Sequence, residues 1–256
     1  MVEIKRKAAL VTGAGKRIGR AIALDLAAHG WRVGVHFGHS RSEADAVVAH
    51  IVGQGGIAVA LQADLERESD AQALVPEAVE RLGSLSLLVN NASRFERDEV
   101  EDVTRDSWDR HMEANLRAPF VLSQRFAAQV PTDMEGLIVN MIDQRVWNLT
   151  PHFISYTLSK AGLWTLTQTL AMALAPRIRV NAIGPGPTLK NVRQTDEEFA
   201  AQRDATPLKR GPSPEEICAA LRFLIDAPSV TGQMVALDGG EHLGWAQPAF
   251  GFVPRE

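Results

Sequence analysis

The sequence contains a single cysteine, Cys218, among 256 residues. One thiol cannot form an internal disulfide, and the chain has no pair or cluster of cysteines of the kind that holds zinc. We therefore expect no metal site. Because Cys218 lies in a helical pattern, we expect its side chain to be part of the core.

The sequence also lacks a large excess of charge of one sign, since 27 basic and 31 acidic residues leave a formal net charge of −4. This balance provides no basic field for nucleic acid, and the chain has no polybasic run that would bind a membrane surface. Any phosphate-bearing ligand must therefore be bound by local groups. We expect the partner to be a small-molecule substrate.

No long hydrophobic run follows the basic start of the chain. The apolar run Ala8–Val11 ends at glycines and is too short for a signal peptide, so we expect a cytoplasmic protein. The composition, 45% hydrophobic and 23% charged, is typical of a soluble globular chain. We predict one dinucleotide-binding catalytic domain over residues 1–256.

Short β-rich runs alternate with longer helical patterns along most of the chain. The runs are Ala8–Thr12, Arg32–Phe37, Ile57–Gln62, Leu85–Asn90, Gly136–Ile142, Ile178–Ile183 and Gln233–Leu237. This alternation predicts an α/β fold, a single Rossmann-type doubly wound domain with a seven-stranded parallel sheet flanked by helices. The stretch 185–214, rich in proline and glycine around the acidic helix candidate Thr195–Arg203, predicts a cover over the ligand.

A glycine-rich turn, Thr12-Gly-Ala-Gly-Lys-Arg-Ile-Gly19, follows the first predicted strand and opens a helix. In that context the backbone N–H groups at the helix start can face a pyrophosphate, so we predict a dinucleotide site. Gly13 and Gly19 provide the tight turn and the close approach, and Ile18 belongs to the same predicted contact. A turn without phosphate binding is the alternative.

The second predicted strand indicates which dinucleotide is bound. NAD-binding proteins commonly place an acid at its end to hold the ribose hydroxyls. Here no acid occurs before Glu43, so NADPH is the predicted cofactor. Its 2′-phosphate could be surrounded by Arg17, His39, Ser40 and Arg41. Arg17 and Arg41 could alternatively be solvated loop charges.

Two residues after the third predicted strand are also cofactor candidates. Asp64, followed by Leu65, is placed to meet the adenine edge. An aspartate at that position could equally cap the next turn.

Tyr156 and Lys160 lie four residues apart in a predicted helix that begins near Ser155, so they share one side of it. Free tyrosine titrates near ~10, which is too high for a proton donor and acceptor at neutral pH. We expect the Lys160 ammonium to lower the pKa of the Tyr156 phenol. Alternatively, the pair sits at the edge of an amphipathic helix and does no chemistry.

These motifs, together with Asn90-Asn-Ala-Ser93, resemble the short-chain dehydrogenase/reductase family from about Lys7 to Gly240. The resemblance implies an NADP-dependent oxidoreductase in which Tyr156 and Lys160 are catalytic. It also implies that Asn115 links Lys160 through water. The implied cofactor contacts around the nicotinamide half are Asn91, Ala92, Pro185 and Gly186, together with Tyr156 and Lys160.

Three positions depart from the family pattern in the way that pteridine reductases do. Arg17 and Ser93 replace glycines, and Asp143 replaces the catalytic serine. The resemblance implies that Arg17 approaches both the cofactor phosphates and a pterin, that Ser93 contacts the pterin, and that Phe95 stacks on it. An aspartate can accept bonds from a pterin's ring N–H or amine, or help deliver a proton. Phe95 could alternatively pack under a loop.

The combined interpretation is a reductase that transfers hydride from NADPH to a C=N bond of a dihydropterin. Its predicted catalytic residues are Asp143, Tyr156, Lys160 and Asn115, and its predicted substrate contacts are Arg17, Ser93, Phe95, Asp143 and Tyr156. The alternative is a short-chain carbonyl reductase acting on a ketone such as a 3-oxoacyl, sugar or quinone substrate. A catalytically idle NADP(H)-sensing protein would need the cofactor loop but not the tyrosine, lysine and asparagine.

The end of the chain extends this resemblance. The run Leu237-Asp-Gly-Gly-Glu-His-Leu243 resembles the end of bacterial dihydromonapterin reductases, which favours a bacterial pterin as substrate. Fold analogy implies a homotetramer. The tail 241–256 carries aromatic residues from Trp245 to Phe252, which we expect either to pack on a neighbouring subunit or to fray.

Overall fold

Seven parallel strands form one sheet in the order β3-β2-β1-β4-β5-β6-β7. The computed structural model describes residues 7–191 and 193–244. The strands are β1 (Ala8–Val11), β2 (Arg32–Phe37), β3 (Ala58–Gln62), β4 (Leu87–Asn90), β5 (Gly136–Met141), β6 (Ile178–Pro185) and β7 (Met234–Leu237). All seven predicted strands form, and the predicted α/β doubly wound sheet is confirmed.

Helices cover both faces of the sheet. They are α1 (Arg17–Ala28), α2 (Arg41–Gly53), α3 (Glu68–Leu82), α4 (Arg105–Met112), α5 (Ala118–Gln129), α6 (Ile154–Leu174), α7 (Asp196–Asp204) and α8 (Pro214–Asp226). A single π-helical turn, Glu113–Arg117, joins α4 to α5. Short 3₁₀ turns span Gln144–Val146 and Glu241–Leu243.

The core is divided by the sheet into two layers. Alternate residues of β1 point to opposite faces, so Ala9 and Val11 pack with α1, α2 and α8, whereas Ala8 and Leu10 pack with α3, α5 and α6. Burying one leucine-sized side chain contributes about 1.5–3 kcal/mol, so these two layers supply most of the favourable free energy of folding. Cys218 lies in the first layer and is 3% exposed, which confirms its predicted place in the core.

The predicted cover contains the helix expected there. α7 begins at Asp196, and the Thr195 hydroxyl accepts the Glu198 N–H in a capping box. This cap explains why the acidic run forms a helix with no buried residue of its own. Among the described residues, no helix is long and apolar enough to cross a membrane.

The chain reverses its direction of winding between β1 and β4, which are neighbours in the sheet. Loops leaving the two strands diverge there and open a crevice at the carboxyl edge. A cavity of about 1200 Å³ occupies this edge, lined by residues that follow all of the first six strands. The fold therefore brings the predicted cofactor loop into one cavity with Asp143, Tyr156 and Lys160.

Candidate active site

The glycine loop after β1 is shaped by close contacts that exclude side chains. Gly13 has a left-handed φ of 61°, and a Cβ on Gly19 would lie 2.3 Å from the Gly13 carbonyl oxygen. Only a residue without a Cβ fits at the second position. The start of α1 therefore lies directly against the loop, with its N–H groups at the cavity.

A buried histidine holds this loop, and the sequence reasoning missed it. The Gly13 N–H donates to Nδ1 of His36 at 3.0 Å, and His36 Nε2 lies 3.1 Å from the Ala63 carbonyl oxygen. Burial lowers the pKa of His36 to about 4, so its ring is neutral and carries its proton on Nε2. A histidine in the otherwise apolar stretch of β2 was the available signal.

Arg17 lines the cavity and connects the glycine loop to the predicted cover. Its guanidinium donates to the carbonyl oxygens of Leu189 at 2.8 Å and Lys190 at 2.7 Å. Its backbone is left-handed, with φ 54°, a conformation that favours glycine, the family residue at this position. Arg17 is therefore not a free solvated charge.

The end of β2 meets the cavity through His39, which is exposed and lines it. Ser40 lies outside the cavity lining and is the N-cap residue of α2, where its carbonyl oxygen accepts the Ala44 N–H. Its contact with a 2′-phosphate stays a prediction. Arg41 pairs with Asp45 at 3.2 Å on the surface of α2.

The ends of β3 and β4 add further predicted residues to the cavity lining, namely Asp64, Leu65, Asn91, Ala92 and Ser93. Asp64 Oδ1 accepts the Glu66 N–H at 3.1 Å, as the capping alternative expects, and its contact with adenine stays a prediction. The Thr12 hydroxyl oxygen accepts the N–H groups of Asn91 and Ala92, each at 2.9 Å. These bonds fix the end of β4 against the glycine loop.

Tyr156, Asp143 and Lys160 meet at the bottom of the cavity. The Tyr156 hydroxyl donates to Asp143 Oδ2 at 2.8 Å, and the Lys160 ammonium donates to the Met141 carbonyl oxygen at 2.8 Å. Tyr156 is 5% exposed and Lys160 is 2% exposed. The predicted catalytic tyrosine is thus bonded to the residue that replaces the family's serine.

The phenol is held in its neutral form. Burial, followed by the charge of Asp143 and its hydrogen bond, raises the pKa of Tyr156 well above its usual value. The expectation that Lys160 lowers this pKa is wrong in this arrangement, because the ammonium is directed to Met141 and the nearby cation that lowers the phenol pKa is Arg145. Burial itself lowers the pKa of Lys160 to about 8.

Asn115 lies in the π-helical turn and is completely buried, outside the cavity lining. Its Oδ1 accepts the Arg94 N–H at 2.7 Å, and its Nδ2 donates to the Arg94 carbonyl oxygen at 2.9 Å and to Ser159 Oγ at 3.0 Å. Asn115 therefore joins the loop after β4 to α6 by hydrogen bonds. Its predicted link to Lys160 remains a prediction.

An aromatic wall forms one side of the cavity. Phe95 stacks on Phe153 with ring centroids 4.8 Å apart and meets Tyr156 edge-on at 4.7 Å. The Arg193 guanidinium lies 5.8 Å from the Phe95 ring centroid and donates to the Phe95 carbonyl oxygen at 2.7 Å. Phe95 therefore lines the cavity, and Phe153 is a wall residue that the sequence reasoning missed.

Two charged residues near Tyr156 were also missed. The Arg145 guanidinium lies 4.8 Å from the Phe153 ring centroid, and its backbone N–H donates to Asp143 Oδ1 at 2.9 Å. Glu241 lines the cavity beside Gly186, and burial followed by the charges of Asp143 and Asp238 raises its pKa to about 7. Nothing in the local sequence pattern distinguishes either residue from a surface charge.

The raised pKa of Glu241 predicts a pH-dependent stability. Its ordinary value is 4.5, so between that value and about 7 the folded protein binds more protons than the unfolded chain and loses stability as pH rises. We expect Glu241→Gln to remove this loss, so that its Tm gain over the unmodified protein grows from pH 5 to pH 8. A Tm difference that does not change with pH in scanning calorimetry would contradict this.

Most of the predicted site residues are therefore brought together. The cavity is lined by Gly13, Arg17, Ile18, Gly19, His39, Asp64, Leu65, Asn91, Ala92, Ser93, Phe95, Asp143, Tyr156, Lys160, Pro185 and Gly186. Ser40 and Asn115 are outside this lining. The predicted aromatic tail lies outside the described residues from Trp245 onward.

Comparison with solved structures gives a close match along nearly the whole chain. FolM alternative dihydrofolate reductase 1 from Brucella canis, solved in complex with NADP, is 48% identical with a TM-score of 0.92, and the match covers 96% of this chain and 98% of that one. A blue fluorescent protein from a metagenomic library, solved in complex with NADPH, is 32% identical with a TM-score of 0.85, covering 91% and 97% of the two chains.

Comparison by sequence gives related enzymes. The 3-oxoacyl-[acyl-carrier-protein] reductase FabG of Staphylococcus epidermidis is 33% identical over 242 residues, which cover 93% of this chain and 99% of the relative. The family model described as enoyl-(acyl carrier protein) reductase matches residues 13–242. The chain therefore belongs to the short-chain dehydrogenase/reductase family and is an NADP-dependent oxidoreductase.

Proposed function

We propose that the chain reduces a C=N bond of a dihydropterin with NADPH. The observation that carries this proposal is the hydrogen bond from the Tyr156 hydroxyl to Asp143, 2.8 Å long, beside the aromatic wall of Phe95 and Phe153. A carboxylate can accept bonds from a flat ring rich in N–H groups, whereas a simple ketone has no such donor. The 48% identity to FolM alternative dihydrofolate reductase supports the same substrate class.

The cofactor end of the cavity fits NADPH. The close packing of Gly19 on Gly13 puts the start of α1 at the cavity, where its N–H groups can donate to phosphates, and at the end of β2 the cavity meets His39 instead of a carboxylate. In this proposal the phosphates are held by Gly13, Arg17, Ile18, Gly19, His39 and Ser40. Asp64 and Leu65 meet the adenine, and Asn91, Ala92, Pro185, Gly186 and Lys160 hold the nicotinamide half.

NADPH supplies the hydride when it is bound, and the residues of the chain manage the proton. The Tyr156 phenol is neutral at physiological pH because its pKa is raised, and its hydroxyl gives its proton to the substrate nitrogen after it turns away from Asp143 Oδ2. Asp143 accepts the phenol hydrogen bond through Oδ2 and keeps further lone pairs for substrate N–H groups. Arg145 favours the phenolate that remains after proton transfer.

Substrate binding in this proposal uses the residues around the aromatic wall. Phe95 packs against the substrate ring, while Arg17 and Ser93 contact its polar edge. Lys160 binds the Met141 carbonyl oxygen at 2.8 Å, and this bond keeps the ammonium deep in the cavity for the nicotinamide ribose. Tyr156 is 5% exposed, so its side chain is largely shielded from bulk water.

A panel of substrates tests the proposed function directly. The protein is incubated with NADPH and, separately, 7,8-dihydrobiopterin, 7,8-dihydromonapterin, an acetoacetyl thioester, a sugar ketone and a quinone, while loss of NADPH absorbance is followed. We expect dihydropterins to be reduced with the highest kcat/KM. Reduction of the ketones alone would refute the proposal.

A carbonyl reductase is the second candidate function. The observation that favours it is the 33% identity to FabG over 93% of the chain. Asp143 at the serine position argues against it, because a serine hydroxyl donates to a substrate carbonyl, whereas a carboxylate repels that oxygen. The acetoacetyl thioester in the same panel measures this activity.

We expect NADPH to bind about 10- to 100-fold more tightly than NADH, since a hydrogen bond to a charged group contributes about 1.5–3 kcal/mol. His39→Asp should reduce this preference by placing a carboxylate at the cavity edge. His50→Asp is the matched control, because His50 is an exposed histidine of α2 outside the cavity. Calorimetric titration that gives equal affinities for the two cofactors would disprove the expectation.

We further propose a homotetramer. Large apolar side chains are exposed on two of the helices, namely Leu158 and Met172 on α6 and Phe223 on α8. A subunit interface would remove them from water. Light scattering is expected to give four times the chain mass of 27.9 kDa, and a monomer mass would contradict the proposal.

A further inference from the structure

The catalytic helix α6 begins without a cap of its own. Its N-cap residue, Phe153, has a left-handed φ of 59° and provides no side-chain cap, and the first turn contains no acid. The free N–H groups of a helix start need partners, and here another segment supplies them. The Asp98 carbonyl oxygen accepts the Phe153 N–H at 2.9 Å, and Asp98 Oδ1 accepts the Ser155 N–H at 3.2 Å.

The side chain of Ser155 extends this contact into a buried network. Its hydroxyl donates to Asp98 Oδ2 and lies 2.7 Å from Nδ1 of His111 in α4. The Glu96 N–H donates to Nε2 of the same ring at 3.2 Å, so the ring proton is on Nδ1 and points to Ser155. The Ser107 hydroxyl also donates to Asp98 Oδ2, at 3.2 Å.

This network does not form a hydrolytic triad. Ser155 and His111 are 0% exposed and Asp98 is 3% exposed, and none of the three lines the cavity. The Ser155 hydroxyl is already bonded to both partners, so no free nucleophile is presented. The network of Asp98, Ser155 and His111 can therefore act only through the residues that it positions.

The residues held by the network are those of the aromatic wall and the catalytic phenol. Phe95 precedes Glu96, while Phe153 and Tyr156 flank the segment that contains Ser155. The His111 ring also meets Tyr156 edge-on, with centroids 6.1 Å apart. The segment 95–98, α4 and the start of α6 are thus joined to one another behind the aromatic wall and the Tyr156 phenol.

We propose that Asp98, Ser155 and His111 are positioning residues that fix the Tyr156 phenol relative to the wall of Phe95 and Phe153. They act through Tyr156 and Phe95 and do not touch the substrate. This proposal rests on the proposed function only in taking Tyr156 as catalytic. It does not depend on the identity of the substrate. Misplacement of reacting groups by about 1 Å can cost on the order of 100-fold in rate.

The kinetic test compares Ser155→Ala with Ser123→Ala. Ser123 is equally buried, but its hydroxyl donates to the Pro119 carbonyl oxygen within α5, away from the cavity. We expect Ser155→Ala to lower kcat by about 10- to 100-fold and to raise the substrate KM, with the NADPH Kd within about twofold of the unmodified protein. Ser123→Ala should leave all three constants unchanged. Equal kinetics for the two variants would overturn the proposal.

A pair of substitutions at Asp98 separates positioning from folding. Asp98→Asn keeps an oxygen that can accept the Ser155 N–H, but its amide nitrogen cannot accept the Ser155 and Ser107 hydroxyls, and Asp98→Ala removes both oxygens. We expect kcat to fall in both variants and to fall further in the alanine variant. If the alanine variant does not fold, Ser155→Ala and Asp98→Asn still decide the outcome. An Asp98→Ala enzyme that folds and keeps full kcat and KM would contradict the proposal.

A spectroscopic measurement gives an answer that does not depend on turnover. Tyr156 is the only tyrosine of the chain, so isotope-labelled tyrosine gives one set of ring signals in NMR spectra. We expect these signals to shift or broaden in Ser155→Ala and to stay unchanged in Ser123→Ala. If the unmodified protein reduced no dihydropterin, the proposed function would fail while this test still reported on the network. Unchanged signals in Ser155→Ala would refute the positioning role.

Discussion

Tyr156→Phe is expected to lower kcat by about 10²–10⁴-fold, the usual contribution of a positioned acid or base. The substitution removes the hydroxyl that donates to Asp143 at 2.8 Å and keeps the ring that meets Phe95 edge-on. Substrate packing and the cofactor loop are preserved, so the loss should appear in kcat. Single-turnover measurement of NADPH oxidation with a dihydropterin isolates this step.

Two further measurements accompany this prediction. The NADPH Kd of Tyr156→Phe, determined by fluorescence titration, is expected to remain within about twofold, because Phe retains the buried ring of a 5% exposed side chain. Circular dichroism verifies that the variant folds. A near-normal kcat would remove Tyr156 from the mechanism and would make Asp143 the remaining candidate proton donor at that position.

Asp143→Asn is expected to lower the pKa of Tyr156 and, at the same time, to lower kcat for dihydropterin by about 10-fold or more. The sign follows from the contacts, because the charge of Asp143 and its hydrogen bond both raise the phenol pKa, and the amide removes the charge. The rate falls because the neutral amide binds the substrate N–H groups less strongly than a carboxylate does. A charge-assisted hydrogen bond contributes about 1.5–3 kcal/mol, which corresponds to 10- to 100-fold.

The single tyrosine makes the pKa shift measurable, because phenolate absorbance reports on Tyr156 alone. Arg145→Gln is the matched control of opposite sign, since Arg145 lowers the phenol pKa and its removal should raise it. A phenol pKa that is the same in both variants would show that neither charge acts on Tyr156. Unchanged dihydropterin kinetics in Asp143→Asn would show that Asp143 has no part in the reaction.

The fold could be predicted because its signals are local. Strand and helix periods are short, and the rule that parallel strands need crossover helices converts their alternation into one architecture. The same rule places residues that follow different strands at one edge, which is why Gly13, Asn91, Asp143 and Pro185 meet in the cavity. Boundaries changed by one or two residues, as at β4, which begins at Leu87 instead of Leu85.

What could not be predicted depends on contacts between distant segments. Ser155 and Asp98 are 57 residues apart, and neither belongs to a motif that indicates the other. The direction of the Tyr156 pKa shift was predicted wrongly for a related reason. Helical spacing correctly placed Lys160 on the same side of α6, but the Met141 carbonyl oxygen that takes its ammonium comes from β5.

Arg17 illustrates a balance between stability and function. A left-handed backbone costs a residue with a side chain roughly 1–2 kcal/mol, and glycine at this position would avoid that cost. The guanidinium donates to the carbonyl oxygens of Leu189 and Lys190, so it ties the start of α1 to the predicted cover. Arg17→Gly would relieve the backbone strain and would remove both of these bonds.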